Sequence, residues 1–338
     1  MDYLQFKGWL KSKVYRKPVI WPLLERAQGS LFKLKYARYY QSKRSKERLS
    51  LHELHIEFAS NCNLRCKFCA LDHAKPKQHI TEEVIRKVFD NLRDDQRFHK
   101  IKRIHLHNGG EILAHPKRVE MLAIIGEYKQ ASISKGIAFP EIHLLTNGML
   151  MRERVAQEIL DLGVVDYVGW SMDGGSPEDY ESMRLLAKWD KFYTNLQTFH
   201  KLNAASDHSV KTFAITCIPD DKPLGTAWMA PEFREAVESV DHLEVRRLHN
   251  WGGAIDEVTA PVKSHKIGCD LLMQQMVILP NGDVTVCCTD LNSQGVVGNV
   301  LESDLFDIYF GPLRREYLDK LRYGQKSELE LCKDCESF

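Results

Sequence analysis

Short apolar runs typical of β-strands alternate with longer amphipathic stretches from residue 51 onward. Six strands are predicted from the runs at 52–58, 102–107, 141–146, 165–172, 211–218 and 243–248. Helices are predicted between them at 81–95, 117–135, 151–162, 176–203 and 230–240. This alternation indicates an α/β fold with parallel strands and right-handed crossovers. Six such units fit a partial barrel or an open doubly wound sheet.

Polar and glycine-rich segments favour the barrel, because each directly follows the end of a predicted strand. The functional groups of such barrels gather at the carboxyl ends of the strands. We therefore expect a partial (β/α)6 TIM-type barrel over residues 51–255. The segments that support it lie at 62–69, 108–111, 146–148, 171–174 and 249–253.

The pattern changes after residue 255, and a small C-terminal domain is predicted over 256–338. Two β-like segments at 274–279 and 283–287 flank the turn sequence Pro-Asn-Gly-Asp, which is a strong hairpin signal. A helical stretch at 303–323 follows, and a Cys-x-x-Cys pair lies close to the C-terminus. This arrangement predicts a small domain held together by metal.

The composition is that of an ordinary globular protein, with 43% hydrophobic and 28% charged residues. Charge is unevenly distributed, because residues 1–50 hold thirteen Lys/Arg against three acidic residues, a formal +10, and the remainder carries −9. Aromatic residues interleave with these cations. We expect a basic, aromatic-rich helical extension that packs on the main domain or lies on an anionic membrane. Nucleic acid and an anionic substrate carrier are further alternatives.

No transmembrane segment is expected, since the longest apolar stretch near the start, 18–24, is too short to span a bilayer. The nine cysteines are odd in number and clustered, and we expect no signal peptide. These features favour a reducing cytosol and metal ligation over disulfides. The expected location is cytoplasmic, with membrane association through residues 1–50 as an option.

Three cysteines, Cys62, Cys66 and Cys69, lie on one short loop and can converge on a single point. An iron–sulfur cube held by three cysteines keeps one iron without a protein ligand, open to a substrate or cofactor. Structural zinc normally has four protein ligands, so a zinc site would need His73 as the fourth. Three unrelated buried thiols are the remaining alternative.

The cysteine loop, including Phe68, resembles the signature of the radical S-adenosylmethionine (radical SAM) superfamily. The resemblance implies a 4Fe–4S cluster held by Cys62, Cys66 and Cys69, with S-adenosyl-L-methionine chelating the open iron. The cofactor then yields a 5′-deoxyadenosyl radical that takes a hydrogen atom from the substrate. The resemblance also implies that Gly109, Gly110 and Glu111 hold the methionine ammonium. It further implies cofactor contacts at Thr146, Asn147, Ser171 and Asp173, with Arg184 as a carboxylate partner.

The distal cysteines resemble the start and end of a SPASM-type extension, or of its shorter twitch variant. These cysteines are Cys269, Cys287, Cys332 and Cys335. Four ligands suffice for one auxiliary 4Fe–4S cluster, so the resemblance implies two clusters in total. The same four thiolates would also suit zinc. Cys217 is expected to be a buried thiol, and Cys288 a packing residue or a weak alternate ligand.

The distal cysteine pattern is similar to that of the sugar and aminocyclitol dehydrogenases of the superfamily, the 2-deoxy-scyllo-inosamine dehydrogenase-like enzymes. This resemblance implies hydrogen abstraction from a sugar, an aminocyclitol or a lipid-linked sugar, giving dehydrogenation, epimerisation or dehydration. The auxiliary cluster would relay an electron, and a flavodoxin- or ferredoxin-type protein would be the reductant. His249 and Arg247 are candidates for the base that takes the hydroxyl proton.

Two other functions stay open at this point. One is a radical SAM peptide maturase that forms a thioether, a carbon–carbon link or a D-residue. The other is a non-catalytic iron–sulfur redox sensor. The Gly-Gly-Glu segment at 109–111 argues against a sensor, because a sensor has no use for a methionine clamp.

Overall fold

The computed structural model describes residues 51–94, 96–218, 221–251, 255 and 268–335, together with five helical positions between residues 23 and 34. Apart from those positions, the extension predicted over 1–50 lies outside the described residues. Most of the segment between the barrel and the C-terminal cysteine region lies outside them too. No described helix is long and apolar enough to cross a membrane.

Six parallel strands form the barrel part of a nine-stranded sheet, and they are neighbours in the order in which the chain visits them. Their bounds are β1 Glu53–Ile56, β2 Arg103–His105, β3 Glu141–Thr146, β4 Tyr167–Ser171, β5 Lys211–Ile218 and β6 His242–Arg247. Every pairing within this set is parallel. The predicted α/β partial barrel is therefore confirmed, and the bounds of each strand lie within two residues of those of its predicted run.

Helices follow the strands at nearly the predicted places. Their bounds are α1 Glu82–Asp94, α2 Arg118–Ser134, α3 Glu153–Leu162, α4 Pro177–Met183, α5 Trp189–Ala205 and α6 Pro231–Glu238. The hydroxyl of Ser176 accepts a hydrogen bond from the Asp179 N–H at 3.1 Å, and Pro177 occupies the first turn of α4. These are the cap residues that the local sequence predicts.

The single helix predicted over 176–203 is wrong, because the chain leaves the helix between α4 and α5. Arg184–Leu185 pairs as a short antiparallel strand with Arg65–Cys66 in the cysteine loop. Leu186 then takes a φ of +73°, which a continuing helix does not allow. The break brings Arg184 to the cysteine loop. It depends on a long-range pairing that helical periodicity does not show.

The outer face of the barrel sheet packs against these helices. Leu54, Ile104 and Val168 are fully buried and belong to the same hydrophobic cluster as the buried faces of the helices. Trp170 meets Phe199 of α5 edge to face, with ring centroids 5.6 Å apart. Parallel strands covered by helices need such apolar positions. Burial of these side chains contributes hydrophobic stabilisation to the fold.

The inner face of the same strands is polar. The register aligns His55, His105, His143 and Tyr167 side by side on β1 to β4. Neighbouring ring centroids in this line lie 4.6, 5.0 and 4.2 Å apart. We call the three histidines the histidine row. Burial lowers the pKa of His55 to about 4, so its ring is neutral near pH 7.

The C-terminal region continues the barrel sheet rather than forming a separate one. It contains α7 Asp270–Gln274, β7 Gln275–Ile278, β8 Asp283–Thr285, β9 Val296–Asn299, α8 Leu305–Tyr309 and α9 Pro312–Arg322. Strand β7 pairs parallel with β1, and β8 pairs antiparallel with both β7 and β9. The predicted hairpin is confirmed, with Gly282 at a φ of +87° in its turn. The helix predicted over 303–323 is wrong as one element, because the proline that begins α9 cannot continue α8.

Candidate active site

The loop after β1 carries Cys62, Cys66 and Cys69, each as a free and partly buried thiol. Electrostatic interactions link all three thiols pairwise, so they converge on one place. Burial raises the pKa of Cys62 and of Cys66 to about 11, because a thiolate there would be poorly solvated. Three convergent thiols that need a positive partner fit an iron–sulfur cube with one open iron. We call this the proximal site.

His73, the fourth ligand that zinc would need at the proximal site, has other neighbours. Its strongest electrostatic partners are Arg65, Asp72 and Lys75, and none of these is a thiol. The zinc alternative loses support here, because no imidazole completes the set of three cysteines among the described residues of this loop.

The Gly-Gly-Glu segment packs directly on the cysteine loop. A Cβ atom on Gly110 would lie 1.8 Å from the carbonyl oxygen of Ala59, so only glycine fits. The next residue, Glu111, donates its N–H to the carbonyl oxygen of Asn61 at 2.9 Å. Gly109 donates its N–H to Glu57 Oε2 at 2.7 Å. The segment therefore supports the backbone that carries the three thiols.

The carboxylate of Glu111 is buried and joins this segment to the end of β3. It accepts hydrogen bonds from Thr146 Oγ1 at 2.7 Å, from the Asn147 N–H at 2.8 Å and from the Leu113 N–H at 3.1 Å. Burial raises the pKa of Glu111, and these donors oppose that effect. Two carboxylate oxygens accept about four hydrogen bonds, and the described residues supply three of them.

The side chain of Asn147 reaches the cysteine loop from β3. Its Nδ2 donates to Asn63 Oδ1 at 2.9 Å and lies 3.6 Å from Cys62 Sγ. Its Oδ1 accepts from the Met149 N–H at 3.0 Å, which fixes the orientation of the amide. The predicted pair of Thr146 and Asn147 is therefore assembled with the proximal thiols.

Asp173 and Arg184 form a buried ion pair beside Cys66. Arg184 contacts the Asp173 carboxylate through Nε at 2.6 Å and through its terminal nitrogen at 2.5 Å. Their side chains are only 2% and 9% exposed. Arg184 also points a nitrogen at Cys66 Sγ, 3.8 Å away, and lies 5.8 Å from the Phe68 ring. Ser171 ends β4 just before this pair and is partly buried.

The distal cysteines meet around one small cavity of about 30 Å³, which we call the distal site. Cys332 and Cys335 come from one tight turn, in which the Cys335 N–H donates to the Cys332 carbonyl at 3.1 Å. Burial raises the pKa of Cys269 to about 12. The cavity is lined by Cys269, Cys287, Cys332 and Cys335 and by Leu272, Val286, Thr289, Tyr317, Leu321 and Leu331.

The two leftover cysteines lie outside the distal site. Cys288 is not among the lining residues and interacts with Cys287 and Gln275. Cys217 is partly exposed as a residue, but burial raises the pKa of its thiol, and its N–H donates to Asp173 Oδ1 at 2.7 Å. Four thiols in a mostly apolar enclosure fit one fully ligated metal centre.

The sequence reasoning missed Glu57, which lies on the inner side just after β1. Its side chain is buried, and burial raises its pKa. Glu57 Oε1, Asn108 Oδ1 and His107 Nδ1 have no hydrogen-bond partner of good geometry among the described residues, although the Asn108 side chain lies close to the Glu57 carboxylate. Such unpartnered polar atoms are typical of a place that binds a polar ligand. The signal in the sequence that could have indicated a functional role for Glu57 is that it is an acidic residue inside the apolar run at 52–58.

The structure places the two residues considered as bases at the end of β6. Burial lowers the pKa of His249 to about 4, and its ring packs on Trp251 with centroids 4.3 Å apart. Arg247 donates a hydrogen bond to the Lys222 carbonyl at 2.5 Å. A guanidinium held in this way, and an imidazole of such low basicity, are poor proton acceptors near pH 7.

A three-thiol loop after the first strand of a parallel partial barrel, with a four-thiol site beyond it, defines the class of radical SAM enzymes. A family model for the Radical SAM superfamily matches residues 56–223. A second model, SPASM, an iron–sulfur cluster-binding domain, matches residues 269–336. The chain belongs to the radical SAM superfamily. Its cofactors are S-adenosyl-L-methionine, the radical SAM 4Fe–4S cluster and an auxiliary 4Fe–4S cluster.

The chain is similar to the S-adenosyl-L-methionine-dependent 2-deoxy-scyllo-inosamine dehydrogenase of Niallia circulans. The two are 22% identical over 83% of this chain and 91% of that protein. It is also similar to the tungsten-containing aldehyde ferredoxin oxidoreductase cofactor-modifying protein of Pyrococcus furiosus. That match is 31% identical, and it spans 36% of this chain and 30% of the relative's length.

Solved structures show the same fold. The structure of BtrN in complex with AdoMet and 2-DOIA matches with a TM-score of 0.57 at 18% identity, covering 85% of this chain and 93% of that one. The structure of Streptococcus suis SuiB bound to precursor peptide SuiA matches with a TM-score of 0.55 at 14% identity, covering 89% and 74%. The fold is therefore that of radical SAM enzymes, including one solved with a peptide and one solved with a small molecule.

Proposed function

We propose that the protein is a radical SAM dehydrogenase that oxidises an alcohol carbon of a sugar, an aminocyclitol or a lipid-linked sugar to a ketone. Epimerisation and dehydration start from the same carbon radical and are the related outcomes. The observation that carries this proposal is the distal cavity lined by four cysteines. Four ligands complete a 4Fe–4S cluster, which then has no vacant iron for substrate and is suited to electron transfer.

The reaction removes one hydrogen atom from carbon, one proton from the hydroxyl group and one electron. When bound, S-adenosyl-L-methionine and the proximal cluster supply the radical that takes the hydrogen atom. The electron has its acceptor at the distal site, and the proton needs a basic side chain. The hydrogen atom, the electron and the proton that leave the alcohol are thereby each given an acceptor.

The proximal residues would hold the first cluster and orient its cofactor. Cys62, Cys66 and Cys69 are the proposed ligands. Asn147 Nδ2 and an Arg184 nitrogen lie 3.6 and 3.8 Å from thiol sulfurs, so each can donate to a ligand thiolate. Gly109, Gly110, Glu111, Thr146, Ser171 and Asp173 are proposed to shape the pocket for the methionine and ribose parts.

Glu57 is our candidate for the proton acceptor. Its Oε2 is fixed by the Gly109 N–H at 2.7 Å, and its Oε1 is buried near Asn108 without a hydrogen bond of good geometry among the described residues. Burial raises its pKa, which moves its basicity toward neutral pH, where a general base is most effective. Glu57 fits the role of proton acceptor better than His249 or Arg247, because the surroundings of those two residues oppose proton uptake.

The test uses anaerobically purified protein with both clusters, reduced with dithionite in the presence of the cofactor. Sugars and aminocyclitols deuterated at single carbinol carbons are then supplied. We expect deuterium in 5′-deoxyadenosine and a ketone in the product, and we expect neither with the Cys66→Ala variant. If the reduced native protein releases no 5′-deoxyadenosine, catalysis of any radical SAM type is refuted and the redox-sensor alternative is favoured.

The peptide maturase alternative has its own outcome in this test. A match to a structure solved with a precursor peptide shows the fold alone. Deuterium transfer from a labelled peptide, with no transfer from any labelled polyol, would identify a maturase and overturn the dehydrogenase proposal.

We also propose that a flavodoxin- or ferredoxin-type protein is the reductant, and that the chain acts in the cytoplasm with residues 1–50 on an anionic membrane surface. Three described positions in this segment, Leu23, Leu31 and Leu34, are helical and 61%, 68% and 50% exposed. They belong to a segment of formal charge +10. Exposed leucines and clustered cations suit an interfacial helix.

Sedimentation with liposomes tests the membrane contact. Full-length protein is expected to bind vesicles that contain phosphatidylglycerol and to be released by high salt. Binding to neutral phosphatidylcholine vesicles is the control. If deletion of residues 1–50 leaves binding unchanged, the proposed contact is wrong.

A further inference from the structure

The amino-terminal half of the barrel's inner face contains a cluster that neither cysteine site uses. Glu53 and His55 alternate on the same face of β1, and the register places His105 of β2 opposite His55. One ligand atom from each residue lies within 4.8 Å of the other two. The cluster is built on two hydrogen-bonded strands, so its geometry is preorganised.

An independent observation points to a ligand at this cluster. His55 is more than nine-tenths buried, and neither of its ring nitrogens has a hydrogen-bond partner of good geometry among the described residues. Gln275 and the His107 backbone lie nearby without forming one. A buried imidazole with both nitrogens unpaired is unfavourable unless something binds it.

The carboxylate of Glu53 is held so that one oxygen faces the histidines. Its Oε1 accepts a hydrogen bond from Arg103 at 2.8 Å, and its Oε2 lies 3.8 Å from His105 Nε2. A neighbour that holds one carboxylate oxygen and leaves the other toward the centre is typical of the surroundings of metal ligands. His105 is in turn packed between the His55 and His143 rings, with centroids 4.6 and 5.0 Å away.

We infer that Glu53, His55 and His105 bind a divalent cation of the zinc type, at a site distinct from both cysteine sites. Two imidazoles and one carboxylate suit Zn²⁺ or a similar first-row metal, and they do not suit Mg²⁺ or Ca²⁺, which prefer oxygen ligands. Ligand atoms at about 2.0–2.1 Å from one tetrahedral Zn²⁺ lie roughly 3.4 Å apart. The three atoms lie within 4.8 Å of one another, so they need to close by at most about 1.4 Å. Three protein ligands leave a fourth position open on the barrel's inner side.

The experiment uses cluster-loaded protein, in which the seven cysteines proposed as iron ligands are occupied. One equivalent of Zn²⁺ is added under argon, unbound metal is removed by gel filtration, and zinc is measured by mass spectrometry. X-ray absorption at the zinc edge then reports the ligands, because Zn–N and Zn–O bonds are about 2.0–2.1 Å and Zn–S bonds about 2.3 Å. We expect one tightly held zinc per chain with nitrogen and oxygen neighbours and no sulfur.

Variants assign the site to these residues. His55→Ala and His105→Ala are each expected to weaken zinc binding by at least roughly 100-fold, since each removes a ligand. Arg103 orients Glu53 and also lies 3.8 Å from Glu141, and Arg103→Gln is expected to weaken zinc binding by about 10-fold, within the range for groups that orient a metal ligand. His200→Ala is the matched control, because His200 is exposed on the outer helix α5. Iron content and circular dichroism show whether each variant has folded.

Two results would overturn the inference. One is that no zinc is retained by the native protein, or that the retained zinc has sulfur neighbours. The other is zinc binding by folded His55→Ala and His105→Ala that equals binding by the His200 control. If both alanine variants fail to fold, the absorption spectrum of the native protein still decides. Catalytic activity does not enter the test, so the result is independent of the proposed dehydrogenase reaction.

Discussion

The proximal and distal sites differ in what surrounds their thiols. At the proximal site, Cys62 lies beside the amide of Asn147, and Cys66 lies beside the guanidinium of Arg184. At the distal site, side chains such as Leu272 and Leu331 enclose the thiols. Polar groups suit a site that also holds a charged cofactor, whereas an apolar enclosure suits a cluster that binds nothing else. The number of ligands and the polarity of the surroundings therefore support the same proposed roles, which are cofactor binding at the proximal site and electron transfer at the distal site.

The largest expected difference between the two sites is between variants that each lack one cysteine, one variant for each site. Cys66→Ala is expected to abolish release of 5′-deoxyadenosine, and Cys332→Ala is expected to retain some release while losing the ketone product. Each variant is expected to lose about four of about eight irons per chain. Iron analysis and chromatography of the nucleoside and product measure both effects. Equal loss of 5′-deoxyadenosine in both variants would contradict the separation of roles.

Gly110→Ala is expected to damage the proximal site and spare the distal site. The added Cβ would lie 1.8 Å from a backbone oxygen, which cannot rotate away. The destabilisation should exceed the ~1–3 kcal/mol of an ordinary overpacked core, and iron should fall toward the content of the distal cluster alone. Gly225→Ala is the control, since an added Cβ there meets no atom within 4 Å. Full iron content in Gly110→Ala protein would show that the loop has room to move.

Asp173→Asn tests the buried ion pair that lies at the proximal site. It leaves the Arg184 charge buried without its carboxylate, at a cost of about 3–5 kcal/mol in the free energy of unfolding. Chemical denaturation measures the change. Arg154→Ala removes an arginine that is 90% exposed from its ion pair with Glu158 and is expected to change stability by about 0.5 kcal/mol or less. A similar small change for Asp173→Asn would mean that water reaches Arg184.

The smallest expected effect concerns pH. Burial raises the pKa of Glu57 above its ordinary value of 4.5, so the folded protein holds this proton more tightly than the unfolded chain. The resulting stabilisation is complete below about pH 4.5 and is lost as pH rises through the folded-state pKa. Glu57→Gln should remove this decline from a series of thermal unfolding curves, whereas Glu232→Gln at an exposed position should keep it. Identical pH profiles for native and Glu57→Gln protein would count against a raised pKa of Glu57.

The strand pattern and the cysteine spacings are local properties, and this is why they could be predicted. Each barrel strand lies on its predicted run, and the polar segments do follow strand ends. The carboxyl ends of neighbouring parallel strands meet at one edge of the sheet, so the convergence of Cys62, Asn147 and Glu111, which all follow strand ends, could be predicted. The distal site joins cysteines from separate parts of the chain, and it could be predicted because its cysteine pattern resembles that of a SPASM-type extension.

Features that depend on pairing between distant segments could not be predicted. The break between α4 and α5 exists because Arg184–Leu185 pairs with the cysteine loop more than a hundred residues earlier. The Asp173–Arg184 ion pair depends on the same break and was not predicted. The resemblance implied a cofactor contact at Asp173 and a carboxylate partner at Arg184. The histidine row likewise depends on the register between β1, β2 and β3, which composition does not specify. A role for Glu57 was not predicted, because an acidic residue within an apolar run is consistent with an ordinary position in a strand.

The pairing of β7 with β1 has a consequence for electron transfer. Strand β1 leads into the proximal cysteine loop, and β7 leads through the hairpin to Cys287 of the distal site. Four aligned residue pairs join these two strands, and the Glu57 N–H continues the ladder to the Ile278 carbonyl at 2.9 Å. Both metal centres would therefore be mounted on adjacent strands of one rigid sheet. The tunnelling distance between them would stay constant while loops and substrate move, so the rate of electron transfer would not depend on a hinge.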